Sequence, residues 1–132
     1  MRSSPPGVRP TIYVVDDDDA VRRALAFALD LEDFAVEVCA SGETLLMKSL
    51  PLHDAVLVVD ERLPGASGLD TLNALRARGV ELPAILVTSH PKTALKEAAA
   101  AAGVPVLEKP LMGETLVAAI RDILAATDAA SS

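Results

Sequence analysis

Apolar positions along the chain fall into two alternating rhythms. Five short runs, Thr11–Val15, Ala35–Cys39, Ala55–Val59, Ala84–Val87 and Val104–Leu107, are rich in β-branched residues, and three of them are almost continuously apolar. Short apolar runs of that kind suit parallel strands covered on both faces. The segments between them keep a helical spacing. Val21, Ala24, Leu25, Ala28 and Leu29 recur at i, i+3, i+4, i+7 and i+8, with Arg22 and Arg23 off that stripe. Ser41 is placed to cap a short helix through Ser49, stopped by Pro51. A third helix is predicted from near Gly68 to Gly79, where a terminal glycine belongs. A fourth runs from near Pro91 through Ala98–Ala102 and stops at Gly103. A fifth carries Leu116, Val117, Ile120, Ile123 and Leu124 on one face.

Strand followed by helix, five times over, predicts an α/β fold: a doubly wound, five-stranded parallel sheet with right-handed crossovers and helices on both faces. The ordered domain is expected over residues 11–126. Residues 1–10, with three prolines, read as a flexible lead-in, and 127–132 as a flexible tail. A length of 132 residues, 51% of them apolar and 23% charged, allows one globular domain with an ordinary core. With one tyrosine, two phenylalanines and no tryptophan, that core must be aliphatic. The alanine-rich fourth helix buries little area per residue and is expected to be weakly anchored.

Charge and cysteine content narrow the function classes. Nineteen acidic residues against twelve basic ones leave a net charge of −7, which argues against a nucleic-acid surface and against an anionic membrane. No run approaches the ~18 apolar residues of a membrane span, and the N-terminus is not a signal peptide. The single Cys39 excludes an internal disulfide and any multi-cysteine metal site, and fits a cytoplasmic protein. Neither G-x-x-x-x-G-K-[ST] nor G-x-G-x-x-G occurs, so a nucleotide site has no support.

Ligand chemistry in open parallel sheets collects beyond the carboxyl ends of the strands. There the chain places Asp16-Asp17-Asp18-Asp19 after the first strand, Asp60 after the third, Thr88-Ser89 after the fourth and Glu108-Lys109-Pro110 after the fifth. Asp18 and Asp19 are read as the capping end of a helix, whose dipole favours negative charge. Asp16, Asp17 and Asp60 crowd like charges together, which is costly unless a cation or a proton compensates. Oxygen ligands with open positions suit Mg²⁺. A strand-terminal Asp often caps the next turn, but Asp60 can also act as a carboxylate nucleophile for a phosphoryl group, with Lys109 as the fixed cation and the Thr88 hydroxyl as a donor.

Together these residues resemble a known family. Asp16-Asp17, then D-x-x-x-P-G-x-x-G (Asp60, Pro64, Gly65, Gly68), then Thr88, then Lys109-Pro110 look like the receiver domain of two-component response regulators, over about Thr11 to Ala126. The segment VVDDDDAVRRAL (Val14 to Leu25) is most similar to receivers of the FixJ kind. The resemblance implies the CheY-like, flavodoxin-like (βα)5 fold with strand order 2-1-3-4-5. It implies Asp60 as phosphoacceptor, with Thr88 and Lys109 at the phosphoryl group. Mg²⁺ would be held by Asp17, Asp60 and the backbone carbonyl of Arg62, with Asp16 acting through a water. The implied donor is a sensor histidine kinase. Output is expected through a surface of helix four, strand five and helix five, by binding a downstream protein or by phosphorylation-dependent homodimerisation, because nothing follows helix five in the chain. Such a domain is a signalling phosphoacceptor rather than an enzyme, catalysing only its own phosphotransfer and dephosphorylation.

The sequence also departs from the family pattern. Val106 stands where the family carries an aromatic residue coupled to the threonine, so the usual relay loses its ring. Glu61 and Arg62 flank the acceptor and bear on water access, and His90 lies near the expected pocket. His53 and Cys39 are read as structural. Three rivals follow: an N-terminal receiver fragment of a DNA-binding transcriptional regulator, a degenerate receiver acting only as a binding module, and an Asp-nucleophile phosphatase. Arg62 counts against the last, since such enzymes commonly place a second Asp there.

Overall fold

The computed structural model describes residues 9–131, so Met1 to Val8 of the expected lead-in and Ser132 lie outside the described residues. The elements alternate as the apolar rhythm requires: β1 (Thr11–Val15), α1 (Asp19–Leu31), β2 (Ala35–Cys39), α2 (Gly42–Leu46), β3 (Ala55–Asp60), α3 (Gly68–Ala77), β4 (Ala84–Thr88), α4 (Thr93–Ala101), β5 (Val106–Glu108) and α5 (Gly113–Ser131). The five strands form one parallel sheet in the order β2-β1-β3-β4-β5. This is the architecture and strand order that the resemblance implies.

Alternation along each strand sorts side chains into two layers, because successive residues point to opposite faces. Ile12, Val14, Val56, Val58, Ile85 and Val87 meet α1 and α5 through Leu25, Leu29, Leu116 and Ile120. Tyr13, Val15, Leu57, Val59 and Leu86 face the other way, against Leu45, Leu72, Leu75 and Ala99 of α2, α3 and α4. The central β3 is buried along its whole length, Asp60 included. Each large aliphatic side chain removed from water on these faces contributes about 1.5–3 kcal/mol.

Local chemistry sets the element ends. The Asp18 carboxylate accepts from the N–H groups of Ala20 and Val21 and caps α1, a contact typically worth ~1 kcal/mol. The Ser41 hydroxyl accepts from Thr44 N–H at the start of α2, as the sequence predicts. Gly79 and Gly103 have φ of +88° and +72° just past α3 and α4, so both act as the terminators their positions suggest.

Several bounds differ from the sequence reading. β5 begins at Val106 rather than Val104. Val104 N–H is spent on the Ala99 carbonyl at the end of α4, and Pro105 has no N–H, so pairing starts where the Pro105 carbonyl accepts from Leu86. β3 and β4 each reach one residue further, to Asp60 and Thr88, because Glu61 N–H bonds the Val87 carbonyl and Lys109 N–H bonds the Thr88 carbonyl. α2 ends at Leu46, beyond which Met47 is exposed and gives no apolar anchor. At the two ends of the domain, Arg9 pairs with Asp30 and the Pro10 carbonyl accepts from Ala35, while the backbone of α5 continues through 127–131.

Candidate functional site

The sheet register brings the five strand ends nearly level. Val15 lies opposite both Cys39 and Val59, Asp60 opposite Val87, and Thr88 opposite Glu108. Residues just beyond these pairs must therefore converge. Asp16 continues the line of β1, its N–H held by the Cys39 carbonyl at 3.1 Å. Carboxylate oxygens of Asp16, Asp17 and Asp60 lie within 4.8 Å of one another. Asp16 and Asp60 are only 4% and 5% exposed, whereas Asp17 faces solvent.

Lys109 closes the cluster. Its Nζ lies 3.1 Å from Asp60 Oδ2 and 3.4 Å from Asp16 Oδ2. The Lys109–Pro110 peptide bond is cis. Backbone donors take the other oxygens: Arg62 N–H donates to Asp60 Oδ1 at 3.2 Å, and Asp18 N–H to Asp16 Oδ1 at 2.9 Å. Burial, reinforced by the Asp16 charge, pushes the Asp60 carboxyl above its ordinary pKa, against the pull of Lys109 and the Arg62 N–H. Burial works against the Lys109 ammonium too, but its hydrogen bond to Asp60 and the charges of Asp60 and Asp16 outweigh burial and raise its pKa.

This donor set fits a divalent cation. Three carboxylates against one ammonium leave two negative charges uncompensated, and every clustered donor is a hard oxygen. A cation there would oppose the burial and the like charge that raise the Asp60 pKa. The structure thus gathers Asp16, Asp17, Asp60 and Lys109, and ties Arg62 to them through its backbone. Thr88 stands at the same edge, 8% exposed, with its hydroxyl donating to the Ser89 carbonyl at 3.1 Å.

Neighbouring residues have other work. Asp19 lies in the first turn of α1, where the capping-end reading puts it, and pairs with Arg22 and Arg23 on the helix surface. His53 is exposed and bonds Asp54, and Cys39 is buried. His90 has a left-handed backbone, φ +49°, in the turn after β4. Val106 is half-buried opposite Leu86, packed against the core.

Three supporting residues are not evident from apolar spacing. Arg22 leaves the solvent side of α1 to donate from Nη1 to the Asp16 carbonyl at 2.8 Å, bracing the acid loop; its sequence signal is an arginine six residues after the acid and three after Asp19. Glu61 accepts from Leu69 N–H at 2.8 Å across the start of α3. Burial raises its pKa. Glu43 accepts from Ala66 N–H, so α2 holds the loop after Asp60, and that bond lowers its pKa. Gly68 has a spatial reason for its place in the motif. A Cβ there would lie 2.4 Å from the Asp60 carbonyl oxygen, so only glycine lets α3 begin against the end of β3.

Residues 12–121 match the family model described as the response regulator receiver domain. The chain belongs to that family. As a receiver domain it is 40% identical over 111 residues to the transcriptional regulatory protein FixJ of Azorhizobium caulinodans, covering 83% of this chain and 53% of that protein. It is 37% identical over 126 residues to the response regulator MprA of Mycobacterium leprae, covering 92% and 55%. The receiver domain thus spans about half the length of these curated relatives. Among solved structures, the crystal structure of FixJ-N superposes with a TM-score of 0.80 at 32% identity, covering 89% of this chain and 95% of that one. The receiver domain is therefore FixJ-like with the CheY-like fold, a two-component signalling domain whose acidic pocket is consistent with a phosphorylation site.

Proposed function

We propose that Asp60 accepts a phosphoryl group from the phosphohistidine of a sensor kinase. One observation carries this reading: a buried carboxylate at the end of the central strand has two further carboxylates within 4.8 Å and an ammonium at 3.1 Å. An Asp60 carboxylate oxygen forms the new P–O bond as the P–N bond to the donor histidine breaks, and the electron pair leaves with the imidazole. The Lys109 ammonium pairs with a phosphoryl oxygen, and the Thr88 hydroxyl, released from Ser89, donates to another. Asp16, Asp17 and Asp60, with the main chain of Arg62, would hold Mg²⁺. When bound, that ion neutralises negative charge on the carboxylates and the phosphoryl group. In autodephosphorylation water attacks the phosphorus of the acyl phosphate, the P–O bond to Asp60 breaks, and the free carboxylate and inorganic phosphate result. The chain's own chemistry ends there.

Incubation with a small phosphodonor and Mg²⁺ is expected to add one phosphoryl group, read by intact mass, and Asp60→Asn is expected to abolish it. Modification at another residue of the wild-type protein overturns the assignment.

The output in this reading is a change of the α4–β5–α5 surface that recruits a protein partner or a second receiver. Cys39, buried and unpaired, suits the reducing cytoplasm. No helix among the described residues is long and apolar enough to cross a membrane. A second reading, the receiver part of a DNA-binding regulator, draws support from the name of the FixJ relative and from the 53% of its length that is matched. The length of the natural gene product separates the two.

A further inference from the structure

Beneath α1, next to the acid cluster but on its inner side, lies a cleft of about 260 Å³. Its floor is rigid: Val14, Val58 and Val87 are strand residues with exposures of 1%, 2% and 4%. Its roof is α1, where Val21, Ala24 and Leu25 face the space, and Pro110 and Leu111 close one side. The space lies between regular elements, β1, β3, β4 and α1, and the loop after β5 closes its side.

The polar groups gather at one end, where Asp16, Asp60 and Lys109 reach the wall. Each already has a protein partner. Elsewhere the wall is aliphatic, so water inside would lack the two to four polar partners that hold a buried water. An apolar cavity of about 150 Å³ already admits benzene, and this one is larger. The polar end sets the chemistry of a guest. Two carboxylates facing one ammonium repel an anion but accept a further N–H or O–H. No aromatic ring lines the cleft, so an aromatic guest would offer the Lys109 ammonium its only π-face there.

We infer that the cleft beneath α1 is a binding site for a small uncharged aromatic molecule carrying one N–H or O–H donor. The guest lies against Val58 and Ala24 and aims its donor at the carboxylate end. This site does not depend on whether Asp60 accepts phosphorus, and it can be tested without a phosphodonor.

Indole is the probe, with benzoate as an anionic counterpart of similar size, each titrated into the ¹⁵N-labelled chain. Indole is expected to give saturable shifts centred on Val14, Ala24, Val58 and Leu111, and benzoate none. Ala24→Leu fills the roof and is expected to weaken indole binding at least about tenfold while cooperative melting is kept. Should that variant fail to melt cooperatively, Val21→Leu fills the same wall and is read in the same way. Failure of indole to saturate, shifts centred instead on the exposed Phe27 and Leu31, equal binding of benzoate, or undiminished affinity in the filled variant overturns the inference.

Discussion

Asp60 is under two opposing pressures, and its behaviour follows from which one is relieved. Burial and the Asp16 charge favour its protonated form, while Lys109 and the Arg62 N–H favour its charge; the balance leaves the pKa raised. A carboxyl with a raised folded pKa adds its full stability below the unfolded pKa and loses it as pH rises through the folded value. Without a divalent ion, Asp60→Asn is therefore expected to melt higher than wild type at neutral pH. The gap should close as pH falls through the Asp60 titration, and also on adding Mg²⁺ at neutral pH. Calorimetric melting across pH, with and without Mg²⁺, checks both arms. Lys109 is different, because its charge faces Asp60, the proposed acceptor. Lys109→Ala is expected to impair the response to phosphorylation more than Mg²⁺ binding; titration calorimetry and a phosphorylation time course compare the two, and equal loss of both contradicts its assigned role.

At the level of elements, α3 and α4 show how sequence composition becomes anchoring. α3 buries Leu69, Thr71, Leu72 and Leu75, and both ends are tied: Ser67 caps it, Glu61 accepts from Leu69, and Arg76 bonds the Ala102 carbonyl. α4 buries only Ala99 fully, and its cap residue Lys92 makes no side-chain cap bond. Local opening free energy follows buried apolar contact. Amides in the interior of α4 are expected to exchange with solvent faster than those of α3, measured by native-state hydrogen exchange; equal protection would show α4 to be as firmly held. The strands and helices themselves were legible because apolar spacing reports them directly. β5 was misplaced by two residues at its start because no spacing rule shows that Val104 spends its N–H on α4 and that Pro105 has none.

For the whole molecule, the parallel sheet acts as a frame whose one edge carries chemistry and whose flank at α4 and β5 is thinly packed. Val106, half-buried opposite Leu86, offers no ring to couple that flank to Thr88. If the flank still responds, a phosphate mimic such as beryllofluoride with Mg²⁺ is expected to raise the molecular mass in solution toward that of a dimer, measured by light scattering. An unchanged mass would leave output to a different protein partner rather than to a second receiver.

The strand-helix alternation, the two-layered core and the strand-end acids could be read from residue order, since burial imposes periods of 2 and 3.6 on a chain before any contact is known. The membership of the acid cluster in one site could be expected from strand ends and family resemblance. That Lys109 comes within 3.1 Å of Asp60, that Arg22 braces Asp16 from six residues away, and that Gly68 lets α3 meet β3 without a clash depended on the packed fold. The reason is physical: spacing along a chain assigns a residue to a face, but the separation between atoms on different elements is set by how side chains of particular size fill the space between them.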